Sequence, residues 1–101
     1  MSAYGDTLAA DARLKILQLL RKAGEAPLNH ELLQLALLSM SIRMTAAQVR
    51  AELQYLSEVG TVILQNVGPL LVAELTERGS DVARGLSVVT GIARHVPGTG
   101  Q

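Results

Sequence analysis

Six side chains near the middle of this chain have the chemistry to read or hold a nucleic acid: Arg43, Thr45, Gln48, Arg50, Gln54 and Asn66. Gln48 carries the amide pair that can meet adenine bidentately, Arg50 can reach guanine or a phosphate, and Gln54 is a further candidate contact on the same helix. Thr45 and Ala46 stand where a helix would begin, and amides and dipole there favour a phosphate. Arg43 adds a second positive charge just ahead of them. Asn66 is placed to touch a sugar-phosphate backbone from a turn. No acidic residue occurs from Leu32 to Ala51, so this stretch is mildly positive within a chain whose nine basic and nine acidic residues cancel. Net neutrality works against strong nonspecific binding, which phosphate neutralisation drives, and leaves a local patch as the basis for contact.

Other chemistries find little support. The histidines are His30, beside a helix start, and His95, near the end, and there is no cysteine. A metal site needs three or four converging ligands, and neither spacing nor composition assembles them. His30 is expected as a first-turn surface residue. Gly79 and Gly85 do not have the spacing of a phosphate-binding loop, and nothing prepares a Ser-His-Asp arrangement. The expectation is a protein that is not an enzyme and carries no cofactor and no metal.

The elements that must position these residues follow from periodicity. Over Thr45 to Gly60, Val49, Leu53, Leu56 and Val59 recur with the helical period, Thr45 is an N-cap type and Gly60 a stop. Ala46, Ala47, Gln48, Arg50, Gln54 and Ser57 are left on the outer face, with Glu52 and Glu58 balancing Arg50. Such a face suits a major groove or plain solvent. Upstream, Thr7 to Ala23 is a helix with Leu14, Ile16, Leu17, Leu19 and Leu20 inward and Arg13, Lys15, Arg21 and Lys22 on a solvated side. Glu25 to Leu28 is an extended connector around Pro27. Asn29 caps a second helix, His30 to Ile42, in which Leu32, Leu33, Ala36, Leu37, Leu38 and Met40 make a stripe wide enough to be sandwiched between neighbours. Downstream, Thr61 to Gln65 and Leu70 to Leu75 are strands joined by the turn Asn66-Val67-Gly68-Pro69, a hairpin. Thr76 caps a short helix, Glu77 to Arg84, weakened by Gly79. Tyr55 is expected to pack its ring on the hairpin base with its hydroxyl in water, or to join an interface.

The order helix, connector, helix, turn, helix, hairpin, short helix is a mainly α chain with a small β-hairpin, the arrangement of a winged helix-turn-helix. The pieces DARLKILQLL, LNHELLQLAL, MTAAQVRAELQYLSEVGTV and VAELTERGSDVARG resemble small winged-helix proteins of Mu-like transposable phages and prophages, grouped loosely with ArsR- and MarR-type regulators. The resemblance covers about residues 11 to 95. It implies a DNA-binding, transcription-regulating role in phage biology with the helix 45–60 as reader. The chain departs from a strong DNA reader in its hairpin tip, Gln65 to Pro69, which has no charge.

With 101 residues and 49% hydrophobic content the chain suits one domain, and with only 2% aromatic residues its core must be aliphatic. The expected organisation is an N-terminal arm over 1–6, a winged-helix domain over 7–85, an apolar extension over 86–95 and a mobile tail over 96–101. Leu86 to Ile92 either folds back over the core or pairs two copies in a homodimer. No apolar run is long enough to span a bilayer and the N-terminus is not a signal peptide, so a cytoplasmic protein without membrane contact is expected. Duplex DNA is the first expected partner. The alternative is a protein-protein interaction module on the same scaffold that modulates a host or phage protein without binding DNA.

Overall fold

A computed structural model describes residues 3–96. The chain runs through α1 (Ala3–Lys22), β1 (Leu28–Asn29), α2 (His30–Ser39), α3 (Ala46–Glu58), β2 (Val62–Val67), β3 (Leu70–Leu75) and α4 (Glu77–Ala83). It is mainly helical, with a small antiparallel sheet of order β1-β3-β2. Ile16, Leu17, Leu20, Leu33, Leu37, Val49, Leu53 and Leu56 are fully buried and join the inward side chains of the hairpin in one aliphatic core.

Several elements differ from the sequence expectation. α1 begins at Ala3, so the arm expected over 1–6 is helix from its third residue, although Gly5 disfavours helix. α2 ends at Ser39 and is not sandwiched. Only His30, Leu33 and Leu37 are buried on it, while Leu32, Leu35, Leu38 and Met40 are exposed, Leu35 at 64%. The sheet gains a strand at Leu28–Asn29, paired with Ala73 and Val72 of β3. β2 runs on to Val67, so Asn66 is a strand residue opposite Leu71 and the turn itself is reduced to Gly68-Pro69.

Gly79, an apparent defect in a short helix, permits a close approach. A Cβ there would overlap the Thr61 carbonyl oxygen and lie 2.7 Å from Leu75 Cδ1. Thr76 fixes the same junction: its hydroxyl donates to the Gly60 carbonyl at 2.8 Å and accepts from the Gly79 amide at 3.0 Å. The segment after α4 also folds back. Val89 and Ile92 are buried in the core, and the Ala93 amide donates to the Ala10 carbonyl at 3.0 Å. Of the large apolar side chains over Leu86 to Ile92, only Leu86 and Val88 remain exposed for a dimer contact, because the chain itself covers the others. The tail expected over 96–101 lies outside the described residues except for Val96.

Candidate nucleic-acid interface

α3 owes its position to its first turn and to one buried stripe. Thr45 accepts from the Gln48 amide through Oγ1 at 3.0 Å. The Gln48 side-chain oxygen accepts in turn from the Thr45 amide at 2.8 Å, which completes a reciprocal capping box. Val49, Leu53 and Leu56 anchor the inner face. The outer face carries Ala47, Gln48, Arg50, Ala51, Gln54 and Glu58, all exposed. Arg43, Thr45 and Gln48 line one open cleft of about 340 Å³ with Gln34, Leu38 and Met44. Arg43 and Gln48 also border a second cleft toward the start of α1, beside Leu8, Asp11 and Glu52.

Two of the predicted reading residues are already engaged. Bidentate pairing with adenine needs both polar atoms of the Gln48 amide, and its oxygen is committed to Thr45, so Gln48 is a capping residue with only its amino group left to donate. The Thr45 hydroxyl oxygen is likewise taken by the Gln48 amide. Arg43, Arg50 and Gln54 remain exposed, with Arg50 and Gln54 one turn apart on the same face. Asn66 is exposed on β2.

Charge on α3 is distributed differently from its sequence. Glu52, which would offset Arg50, turns away and forms an ion pair with Arg13 of α1. Arg13 is therefore not on a solvated face. Its side chain is 18% exposed, it donates to the Gly91 carbonyl at 2.8 Å, and its guanidinium lies 3.8 Å from the centre of the Tyr55 ring. The Tyr55 hydroxyl, expected in water, donates to the Thr90 carbonyl at 2.8 Å. With Glu52 withdrawn, the leading half of the outer face carries Arg50 without a carboxylate beside it on the helix.

His30, expected as a first-turn surface residue, is buried. It is 2% exposed, with Nδ1 accepting from the Leu71 amide at 3.1 Å and Nε2 lying 3.1 Å from Arg50 Nη1. The register explains this burial. β1 pairs Leu28 with Ala73 and Asn29 with Val72, so the next position opposite His30 is Leu71. The chain turns into α2 there, and the imidazole takes the amide that a continued strand would have paired. The signal available in sequence was the extended Leu28-Asn29 pair just before the helix, which brings residue 30 to the sheet edge.

No helix among the described residues is long and apolar enough to cross a membrane, and no three His, Asp or Glu side chains among them cluster as metal ligands would. No protein-family model and no solved structure matches the chain. Over 92 residues, covering 91% of this chain and 95% of the relative, it is 34% identical to the uncharacterised protein gp26 of Escherichia phage Mu. At that identity over nearly the full length of both proteins, the chain belongs to the family of phage Mu gp26.

Proposed function

We propose that the chain is a winged-helix DNA-binding protein of Mu-like phages, akin to ArsR- and MarR-type regulators, that controls transcription by placing α3 in the major groove. The observation that carries the reading is the outer face of α3. This helix follows the 40–45 connector from α2, precedes a hairpin, and presents Arg50 and Gln54 as exposed residues while its central carboxylate, Glu52, is drawn off by Arg13. Exposed Arg43 in the turn before it would add a phosphate contact, and Asn66 would touch the backbone from the hairpin. The hairpin tip is uncharged, so most of the contact would come from α3 and the turn before it.

A second reading has its own observation. Leu32, Leu35 and Leu38 form an exposed apolar row along α2, and scattered single leucines would not align in this way. That row would suit a host or phage protein, and Leu86 with Val88 offers a smaller patch for a second copy. A mobility-shift titration with duplex fragments from the regulatory region of a Mu-like phage separates the readings. Retardation at low salt that fades steeply with added salt supports DNA binding. No retardation at low salt, together with retention of a phage or host protein that is lost on Leu35→Glu substitution, contradicts it.

A further inference from the structure

We propose that His30 and Arg50 together form a seat for one phosphate oxygen of a bound duplex, a proposal that rests on the DNA-binding reading above. The imidazole of His30 stands between two donors. The Leu71 amide donates to Nδ1 at 3.1 Å, and Arg50 Nη1 lies 3.1 Å from Nε2. A neutral imidazole has one acceptor nitrogen, and its other nitrogen carries hydrogen. The two contacts therefore are not both hydrogen bonds.

Burial decides which of them is. Leu71 is a buried residue of β3, and its amide has no water to turn to if the ring withdraws. Arg50 is an exposed residue, so its guanidinium has water within reach if the ring does not accept from it. The acceptor goes to Leu71, which leaves the hydrogen on Nε2, facing the guanidinium. Two N–H groups then converge with no acceptor between them, one on the buried imidazole and the other on a permanent cation.

An oxygen with several lone pairs and a negative charge satisfies both at once through charge-assisted hydrogen bonds. To admit it, the exposed guanidinium swings outward by on the order of 1 Å, which sets both donors at hydrogen-bond distance from the incoming oxygen. The seat is made by side chains and not by the helix start itself, where Asn29 Oδ1 already accepts from the Leu32 amide at 2.9 Å. It draws on α2 and α3, and through Leu71 it is braced by the hairpin. A phosphate held there would sit beside the outer face of α3 and fix how that helix lies on a duplex.

The test follows the ring nitrogens of His30 by two-bond proton–nitrogen correlation in the full chain. It is run free, with a short duplex, and with inorganic phosphate alone. The proposal predicts hydrogen on Nε2 in the free protein and a shift of Nε2 on adding duplex. It also predicts that Arg50→Gln, a substitution on an exposed face, lowers the salt slope of duplex binding by about one. Duplex binding with Nε2 unmoved and the slope unchanged in Arg50→Gln overturns the seat and leaves the DNA-binding reading standing. Hydrogen on Nδ1 in the free protein also overturns it. Absence of duplex binding at low salt overturns the DNA-binding reading and the seat with it. A shift with inorganic phosphate but none with duplex reassigns the pair to a free anion and overturns the proposal as stated.

Discussion

The guanidinium of Arg13 lies 3.8 Å from the centre of the Tyr55 ring while the same group pairs with Glu52 and donates to the Gly91 carbonyl. One side chain of α1 thus ties α3 to the segment after α4, and draws a carboxylate away from the outer face of α3 in doing so. Arg13→Ala is expected to lower stability by about 2 kcal/mol, from loss of the cation–π contact and a largely desolvated ion pair. Urea denaturation of the two proteins measures it. Glu52→Gln should cost less, because the ring and the Gly91 carbonyl still hold the guanidinium.

Gly91 is the position at which this hub is most confined. Its φ is +91°, and a Cβ there would overlap the Tyr55 hydroxyl oxygen. Gly91→Ala should therefore displace the segment from Tyr55 and destabilise the chain by about 2 kcal/mol or more. Hydrogen exchange at the Ala93 amide, which donates to Ala10, is the local readout. Faster exchange there at unchanged protection in α3 is the expected pattern.

Gly79→Ala sets helix propensity against packing. Propensity alone favours alanine by about 1 kcal/mol. The Thr61 carbonyl oxygen, which the added Cβ would overlap, is backbone and has no rotamer to yield. The substitution should destabilise by about 1–3 kcal/mol, seen as a lower midpoint in thermal unfolding. A higher midpoint would mean that α4 stands off from Thr61.

Ending the chain at Gly85 removes Val89 and Ile92 from the core. The expected result is a loss of about 3 kcal/mol or more from the two side chains. Sedimentation of the full chain distinguishes the remaining role of Leu86 and Val88. A monomer at tens of micromolar, by order of magnitude, would confine the extension to packing within the chain.

The parts of this fold governed by local rules were legible in the residues. Thr45 as cap and Val49, Leu53 and Leu56 as the inner stripe of α3 need only the helical period and a hydroxyl, and Asn29 and Thr76 cap where they should. Features that depend on a distant partner were not. β1 is two residues long and exists because β3 offers a free edge. His30 is buried because Leu71 presents an amide, and Arg13 leaves solvent because Glu52, Tyr55 and Gly91 meet it from two other segments. The periodicity of α2 predicts a wider buried stripe than the fold covers, since Leu32 and Leu38 satisfy the period loosely and only contact decides which leucines are covered. Among the site residues, the exposure of Arg50 and Gln54 follows from helix geometry, and Arg43 is exposed in the connector before α3. The capture of Gln48 by Thr45 is a local capping box of Gln type, readable from the Thr-x-x-Gln spacing once base reading is not assumed.

Contact between the outer face of α3 and duplex DNA is open to one decisive measurement. It is fluorescence anisotropy of labelled regulatory duplexes, with native chain and Arg50→Ala at about 50 and about 200 mM salt. The predicted result is binding by the native chain that weakens steeply between the two salts, and a loss of about 1–3 kcal/mol in Arg50→Ala on a specific site. Equal anisotropy for both proteins at the lower salt, whether through absence of binding or through binding indifferent to Arg50, would contradict it.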